Sequence, residues 1–388
     1  MPCIERLKEK DYDEILEVLN ESFTHKEVPA DTTYQADFVA NLPIMWTKEH
    51  DYPSRHLAVK ENGRIVSLLG IYPLPAVIAG EKVLMGTIGN IASLPAARGR
   101  GYMKQLVTVA IEEAMKQGFV AARLDGLRSR YNRYDFDHAG VNYVCCLTQR
   151  NRVKNPKAIQ LNFEQILVDD HDAIAFAKKC HRNSKFYVLR ETDKDFFYTL
   201  RAWKNIPYIA KNKQGMPVGY ISVSPDGKNI AEWGVDTGYT VIDLLSAYLQ
   251  NYPKIKEVTF LVMPYDTDQI KAVFVQCESW HAKPASMFHV FQWDRFVYVL
   301  MKLAAQTKGL VDGELTVAIN NWGNLHMTVK NGVPKAKKCE HNVEVYMMAR
   351  EAVNWFFGNL RAIQPIPGTR AEASWFPLPL CWNGQDRV

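Results

Sequence analysis

The chain has 388 residues, of which 47% are hydrophobic and 23% are charged, and its formal net charge is +5. This length exceeds one hydrophobic core, so we expect two or three globular domains. The mild charge is compatible with an anionic ligand and lacks the long basic stripe of a nucleic-acid binder. The N-terminus has no signal-peptide pattern and no stretch is apolar enough to cross a bilayer, so we expect a cytoplasmic protein without a membrane partner.

The seven cysteines are scattered and form no Cys-x-x-Cys pair. We therefore expect reduced thiols rather than a disulfide framework or a zinc site. The ten histidines form no pair at ligand spacing, so no metal is expected. Cys180 and His181 are adjacent, and adjacent side chains on a helix point apart, which argues against a nucleophile with its base.

The first element is predicted to be an amphipathic helix, whose apolar face consists of Tyr12, Ile15, Leu16, Leu19 and Phe23. An antiparallel meander follows it. Residues 57–59 and 65–71 flank a tight-turn Asn-Gly pair, and a further strand pair flanks a single glycine, with its second arm over residues 82–94.

After Pro95 the apolar spacing becomes helical and remains so until Gly118. Residues 119–124 then have the composition of a strand. Residues 209–221 repeat the earlier order of strand, polar turn with glycine, and strand, but the loop that follows, residues 235–238, has no arginine. We interpret this repeat as a second copy of the same unit that has lost its anion site.

The last hundred residues differ from both copies. A helix is predicted over residues 294–305, a hairpin over 315–329, and an apolar-rich helix over 343–360. Residues 371–382 are so apolar that exposing them to water would be unfavourable, so we expect this segment to pack against the protein.

The loop Arg98-Gly99-Arg100-Gly101 stands between a predicted strand and a predicted helix. Glycines let the backbone approach a ligand closely, and the N–H groups of a helix start attract a diphosphate, to which an arginine can add paired hydrogen bonds. A P-loop is excluded because Gly-Lys-Ser/Thr is absent, and a dinucleotide fingerprint because Lys104 stands at its third glycine. A solvated helix start is the alternative interpretation of these four residues alone.

Residues 88–95 and the following Ala-Ala-Arg-Gly-Arg-Gly-Tyr-Met resemble the acetyl-CoA-binding strand, loop and helix of the GNAT acetyltransferases. The usual pattern there is Arg/Gln-x-x-Gly-x-Gly/Ala. Arg98 and Gly101 match this pattern, whereas Met103 departs from it. That departure is typical of the enhanced-intracellular-survival (Eis) branch, whose loop reads Arg-Arg-Gly-x-Leu/Met.

Residues 126–136 are similar to the Tyr-x-Arg-Phe-Gly-Tyr/Trp segment of the same branch, with Tyr134 and Asp135 in place of the usual Phe and Gly. The resemblance implies an α+β (mixed α/β) fold of tandem GNAT domains, the second degenerate, and a C-terminal domain similar to sterol carrier proteins. The implied domains are residues 1–150, 151–290 and 291–388.

The resemblance also implies an N-acetyltransferase that uses acetyl-CoA as co-substrate. Tyr131 is expected to be the general acid and the terminal carboxylate of Val388 the general base. An unperturbed α-carboxylate, with a pKa of about 3.5, is a poor base, but burial in an apolar cleft would raise this pKa. The alternative for Val388 is a tail without function, with the proton leaving through water.

Backbone N–H groups of residues 91–93 are expected to meet the oxyanion. The residues implied to contact the co-substrate are Ile91, Ala92, Ser93, Arg98, Gly99, Arg100, Gly101, Tyr102, Met103, Lys104 and Gly126.

The acceptor is expected to be a small-molecule or peptidic amine, and the resemblance implies a homo-oligomer such as a hexamer. Asp125 and Asp135 beside the site are candidates for binding a cationic amine, with solvated loop carboxylates as the alternative. Two other hypotheses remain: a non-catalytic acyl-CoA sensor, and an interaction protein derived from a transferase. The intact loop in the first copy argues against the latter.

Overall fold

The computed structural model describes residues 3–26, 33–34, 36–46, 52–153, 159–340, 343, 345–358 and 370–386. The strands, in chain order, are β1 (Ile4–Arg6), β2 (His25–Lys26), β3 (Thr33–Tyr34), β4 (His56–Glu61), β5 (Arg64–Ile78), β6 (Glu81–Ser93), β7 (Ala121–Leu124), β8 (Asp137–Ala139), β9 (Asn142–Thr148), β10 (Asn162–Gln165), β11 (Phe186–Val188), β12 (Ile206–Lys211), β13 (Pro217–Val223), β14 (Asn229–Val235), β15 (Glu257–Val262), β16 (Ser279–Lys283), β17 (Ser286–Val290), β18 (Gly313–Ile319), β19 (Gly323–Lys330), β20 (Val333–Cys339) and β21 (Val345–Met347).

The α-helices are α1 (Tyr12–Phe23), α2 (Phe38–Asn41), α3 (Tyr102–Lys116), α4 (Arg128–Tyr131), α5 (Gln149–Val153), α6 (His171–Arg182), α7 (Asp193–Leu200), α8 (Val241–Asn251), α9 (Thr267–Gln276), α10 (Trp293–Thr307), α11 (Ala349–Phe357) and α12 (Arg370–Trp375). The predicted first helix, the antiparallel meander and the helix that follows the loop are confirmed. No described helix is long and apolar enough to cross a membrane.

Two large sheets have the same plan. The first has the order β1-β4-β5-β6-β7-β17-β8, with β11 added to the far half of β5, and the second has the order β10-β12-β13-β14-β15-β9-β16. In each sheet the fourth and fifth strands are parallel and the other neighbours along the path are antiparallel. The prediction of tandem copies of one unit is therefore confirmed.

The two sheets exchange their sixth strands. β9 follows β8 of the first sheet along the chain, but pairs with β15 and β16 of the second. Conversely, β17 follows β16 of the second sheet and pairs with β7 and β8 of the first. Both exchanged strands lie just before the predicted boundaries at residues 150 and 290, so each sheet takes its sixth strand from across a boundary, and the first sheet takes β11 as well.

The third sheet, β20-β19-β18-β21, contains the predicted hairpin and packs against α10. The prediction of one helix over residues 343–360 is wrong. Its start includes β21, which pairs in parallel with β18, and the helix is α11. Pairing of Val345–Met347 with an existing strand overrides the helical pattern of the apolar residues. The resemblance of this part to sterol carrier proteins remains a prediction.

The apolar C-terminal segment is buried, as predicted. Trp375 and Trp382 are almost fully enclosed. Asn142, on the exchanged strand β9, donates its side-chain amide to the carbonyl of Trp382 at 2.9 Å and accepts from its N–H at 3.3 Å. The guanidinium of Arg123 lies over the Trp382 ring at 5.5 Å. The segment thus packs against strands of both large sheets.

A buried ion cluster holds the end of this segment. The guanidinium of Arg190 donates two hydrogen bonds to Glu232 on β14, at 2.9 and 2.7 Å, and two to Asp386, both at 3.1 Å. Glu232 also accepts from Tyr220 at 2.7 Å and from Asn383 at 2.9 Å. Burial alone would raise the pKa of Glu232, but the charge of Arg190 and side-chain hydrogen bonds from His181 and Arg190 hold it well below its usual value of 4.5.

Replacement of Arg190 by methionine is expected to lower the free energy of unfolding by about 3–5 kcal/mol at pH 7, because two carboxylates remain buried without their cation. Urea denaturation measures this difference. The folded-state pKa of Glu232 lies below its unfolded value, so the stabilisation is present above pH 4.5 and is lost as the pH falls toward the folded-state pKa. The difference between variant and wild type should therefore shrink in acid.

The matched control is Arg64→Met. The Arg64 side chain is 70% exposed and pairs with Glu14 and Glu17 at the surface. Exposed pairs contribute about 0–1 kcal/mol, so this variant should unfold close to wild type. Equal losses in the two variants would contradict a stabilising role of the buried cluster.

Candidate functional site

The loop before α3 has the conformation that its glycines allow. Gly99 and Gly101 have φ of 81° and 82°, and no atom would obstruct a Cβ at either position, so the backbone angle rather than space requires glycine. Gly101 is the N-cap of α3 and no side chain caps this helix. The first N–H groups of α3 are therefore left for a ligand.

The equivalent helix of the second copy, α8, is closed by its own residues. The hydroxyl of Thr240 accepts from the N–H of Asp243, and the Asp243 carboxylate accepts from the N–H of Thr240 at 2.9 Å. This capping box satisfies the groups that α3 leaves open. The contrast fits the prediction that the second copy has no anion site.

A cavity of about 660 Å³, which we call the loop cavity, lies beside the start of α3. Its lining residues are Ser22, Phe23, Ile91, Ala92, Ser93, Ala97, Arg98, Gly99, Gly101, Tyr102, Met103, Lys104, Arg130, Arg133 and Tyr134. Four of these are cationic and none is acidic. Together with the open helix start, this charge distribution suits a polyanion such as a diphosphate.

The two arginines of the loop have different surroundings. Arg98 lines the loop cavity and donates from Nε to the carbonyl of Ser93 at 3.3 Å. Arg100 is absent from this lining and donates to both carboxylate oxygens of Glu61, at 2.8 and 2.9 Å. The hydroxyl of Tyr102 also donates to Glu61. Arg100 therefore braces the loop against β4.

Sequence analysis missed Ser22, Arg130, Arg133 and Tyr134. The hydroxyls of Ser22 and Tyr134 are buried and have no hydrogen-bond partner in the described part of the chain. Unpaired buried hydroxyls in a cavity wall are positions where a bound ligand can supply the missing bond. Three arginines within residues 128–133 were the one signal in the sequence for this wall.

A second cavity of about 810 Å³, which we call the central cavity, shares Phe23, Ile91 and Arg130 with the loop cavity. Its lining residues are Phe23, Ala36, Phe38, Asn41, Leu42, Ile88, Gly89, Asn90, Ile91, Asp125, Gly126, Leu127, Arg130, Tyr131, Val144, Trp203, Asn205, Ser224, Asn229, Ile230, Ala231, Thr259, Leu261, Lys283, Gly384 and Gln385. It thus lies between the two large sheets.

The two cavities meet where β6 separates from β7. The parallel pairing of these strands is limited to Met85–Thr87 on β6. Beyond Thr87, within the described residues, no strand pairs with this edge of β6, and residues 88–93 line the two cavities instead. Backbone N–H groups at such a separation are available to bind an oxyanion.

Tyr131 ends the short helix α4 and is only 4% exposed. It lines the central cavity together with Gly126, whose φ is 143° and where a Cβ would lie 2.9 Å from the Tyr131 ring. Burial raises the pKa of the Tyr131 hydroxyl, and the neighbouring Arg130 opposes this shift. The hydroxyl therefore keeps its proton at neutral pH.

The two predicted acidic residues are placed differently. Asp125 lines the central cavity and accepts hydrogen bonds from Arg123 and, at 2.7 Å, from Ser286. Asp135 lines neither cavity. Its φ of 59° shows that aspartate takes the left-handed conformation where the related segment has glycine, a conformation that aspartate tolerates.

The C-terminal turn forms part of the opposite wall. Gly384 and Gln385 line the central cavity. Gln385 donates to the carbonyls of Thr199 and Leu200, at 3.2 and 2.9 Å, and accepts from Asn205 at 3.1 Å. Val388, predicted to supply the base, lies outside the described residues.

Three large apolar side chains of the central cavity are exposed: Phe23 by 40%, Leu127 by 62% and Trp203 by 43%. Trp203 also has a φ of 63°, which is rare for a bulky residue. Exposed aromatic groups in strained backbone are typical of ligand-binding surfaces. No group of three or more potential metal ligands occurs among the described residues.

Of the residues predicted to contact the co-substrate, nine lie together in the loop cavity: Ile91, Ala92, Ser93, Arg98, Gly99, Gly101, Tyr102, Met103 and Lys104. Gly126 lies in the central cavity, and Arg100 faces Glu61.

Comparison with known proteins gives one family match. Residues 3–139 match the family described as Acetyltransferase (GNAT) domain. No curated protein sequence matches the chain.

Several solved structures share the fold over nearly the whole chain. The GCN5-related N-acetyltransferase from Kribbella flavida is 16% identical, with a TM-score of 0.67 and coverage of 98% of this chain and 95% of that chain. The corresponding values for the GCN5-related N-acetyltransferase from Anabaena variabilis are 16%, 0.65, 99% and 98%, and for Eis1 from Mycobacterium abscessus 11%, 0.65, 98% and 99%. The chain thus has the overall fold of these proteins, and residues 3–139 form a GNAT acetyltransferase domain, which confirms the predicted acyltransferase class.

Proposed function

We propose that the chain is an acetyl-CoA-dependent N-acetyltransferase that acts by direct attack of an amine on the thioester. The observation that carries this proposal is the junction of the two cavities. A cavity with four cations and no acid, at an open helix start, meets a second cavity that contains a buried, protonated tyrosine. The first suits the diphosphate of coenzyme A, and the second suits the acceptor and the chemistry.

The residues of the loop cavity fit this co-substrate. Arg98, Lys104 and Arg133 can neutralise phosphates, while the N–H groups at the start of α3 meet the diphosphate. The unpaired hydroxyls of Ser22 and Tyr134 can bond with polar groups along its length. The acyl group then reaches the junction at Ile91, which belongs to both cavities.

The amine nitrogen forms a bond with the thioester carbon, and the carbon–sulfur bond breaks as the tetrahedral intermediate collapses. The products are an amide and coenzyme A, and the amine loses one proton. N–H groups of residues 91–93 stabilise the oxyanion, and Tyr131 protonates the departing sulfur. The Tyr131 hydroxyl is protonated at neutral pH, as a proton donor must be before transfer.

For the base we propose the carboxylate of Val388. Support comes from the described residues just before it, because Gly384 and Gln385 line the central cavity and Asp386 is fixed by Arg190. A terminal carboxylate enclosed in that cavity would have a raised pKa and would be a better base.

The acceptor that fits the central cavity is an amine with a large apolar group. The exposed Phe23, Leu127 and Trp203 provide an apolar surface for this group, while Asp125 provides a negative charge near the amine. Arg130 and Lys283 in the same lining disfavour amines with many positive charges.

Coenzyme A affinity should distinguish the two loop arginines. Arg98→Gln removes a cation from the loop cavity, and we expect the affinity to fall by about 10-fold or more. Arg100→Gln is the matched control, because its guanidinium is engaged with Glu61, and its affinity should stay within about 3-fold of wild type. Calorimetric titration with coenzyme A measures both, and equal losses would contradict this division of roles.

Turnover with acetyl-CoA and 2-phenylethylamine, followed by chromatography of released coenzyme A, tests the proposed function. Wild type should form the amide, and Tyr131→Phe should lower kcat by about 10²–10⁴-fold while coenzyme A still binds. The control is Tyr346→Phe, since this tyrosine is exposed in the C-terminal part.

Coenzyme A binding without amide formation across aryl amines, polyamines and peptides would instead indicate a non-catalytic acyl-CoA sensor. A Tyr131→Phe variant with wild-type kcat would remove the tyrosine from the mechanism.

Two glycines added after Val388 should abolish turnover while leaving coenzyme A affinity intact, because the carboxylate would be displaced from the site. The same addition before Met1 is the control. Steady-state kinetics and calorimetry measure the two effects. Unchanged turnover in the extended chain would exclude the terminal carboxylate as base.

A further inference from the structure

Asn90 has an unusual position in β6. The register pairs Leu68 with Ala92 and Gly70 with Gly89, so two residues of β6, Asn90 and Ile91, lie opposite a single residue of β5. This is a β-bulge, a feature that redirects side chains next to active sites. Among the described non-glycine residues with positive φ, Asn90, at 52°, lies within a strand, while the others lie in turns or single helical turns.

The Asn90 side chain begins a buried chain of hydrogen bonds. Its Nδ2 donates to the hydroxyl of Tyr72 at 2.7 Å, the Tyr72 hydroxyl lies 2.8 Å from Nε2 of His56, and Nδ1 of His56 lies 2.9 Å from the carbonyl oxygen of Tyr52. Asn90, Tyr72 and His56 are all buried. Which atom donates in each of these bonds follows from the end of the chain, the carbonyl oxygen of Tyr52.

A carbonyl can only accept, so Nδ1 of His56 carries the proton of that bond. Burial lowers the pKa of His56 to about 4, so at neutral pH the ring has one proton and Nε2 is an acceptor. The hydroxyl of Tyr72 therefore donates to Nε2, and its oxygen accepts from Asn90. Only the amide nitrogen of Asn90 can donate there, which fixes the orientation of the carboxamide.

The carboxamide oxygen of Asn90 is consequently directed away from Tyr72. It has no hydrogen-bond partner among the described residues, although Asn90 is 6% exposed. Asn90 lines the central cavity, as do Tyr131 and Asp125. An unpaired acceptor on a buried residue of a cavity wall, held in one orientation by three residues behind it, is a preorganised group for a ligand N–H.

We propose that the carboxamide oxygen of Asn90 binds the acceptor amine, accepting one N–H so that the nitrogen lone pair is directed at the thioester. This inference rests on the proposed function. Asn90 takes up no proton, and the proton lost by the amine goes to the separate base. Tyr72 and His56 are positioning residues, which act by keeping the carboxamide from rotating.

The geometry also explains why asparagine suits this position. Asparagine adopts positive φ more readily than most residues, which the bulge requires, and it provides a donor and an acceptor on opposite sides of one planar group. Aspartate would offer no donor to Tyr72, and leucine would offer neither group.

The test compares full-length variants with acetyl-CoA and 2-phenylethylamine as the probe. Asn90→Gly preserves the positive φ and removes the carboxamide, and we expect kcat/KM for the amine to fall by about 10- to 100-fold. Tyr72→Phe leaves the carboxamide but frees its orientation, and a smaller fall of about 3- to 10-fold is expected. Asn62→Gly, at a turn residue with φ of 51°, is the matched control and should behave as wild type.

Two further readouts separate amine binding from general damage. The affinity for coenzyme A and the slow hydrolysis of acetyl-CoA without amine should change by less than about 2-fold in Asn90→Gly, because neither uses an amine N–H. A parallel loss of hydrolysis and transfer, or an unchanged kcat/KM for the amine, would overturn the proposal.

If wild type forms no amide, the proposed function is contradicted, and Asn90 is then tested by amine binding alone. This binding is measured by calorimetric titration of 2-phenylethylamine into the coenzyme A-loaded protein. Weaker binding to Asn90→Gly than to wild type supports the inference. Equal binding, or no binding to wild type, overturns it.

Discussion

The buried guanidinium of Arg190 connects three distant parts of the chain: the segment after β11, Glu232 on β14, and Asp386 near the C-terminus. Charges removed from water in this way are stable only when each one is paired and hydrogen-bonded. Here two bonds of Arg190 fix the C-terminal turn at Asp386, two others join it to Glu232, and the turn brings Gly384 and Gln385 to the wall of the central cavity. The shape of that cavity thus depends on an ion cluster outside it.

The same cluster shows how two copies of one fold came to differ. In both sheets the parallel central strands separate after a short pairing, at Met85–Thr87 in the first copy and at two residue pairs of β14 and β15 in the second. The opening of the first copy leads to the two cavities. The corresponding opening of the second copy is filled by the C-terminal segment. Trp382, Asn383 and Asp386 of this segment line a small cavity of about 250 Å³ together with Glu232. The two copies also differ at the helix start, because the capping box of α8 satisfies N–H groups that are open in α3.

Sequence patterns predicted the features that depend only on residues close together in the chain. The glycines and arginines before α3, the period of α1 and the hairpin turns all required only neighbours in the chain. The role of Arg100 depended on Glu61, a residue of another strand, and the importance of Asn90 depended on a bulge and on His56. Likewise, the apolar pattern of β21 is compatible with either a helix or a strand, and it forms a strand because it pairs with the edge of β18. Long-range pairing was therefore the missing information.

The strand exchange has a consequence for synthesis on the ribosome. Ser286 in β17 hydrogen-bonds with the carbonyl of Leu124, which is 162 positions earlier. At 5–20 residues per second, the first sheet waits roughly 8–30 s for its sixth strand after β8 has emerged. Meanwhile the edge of β7 is an unpaired template for aggregation. The first sheet can therefore be completed only after most of the second copy has been synthesised.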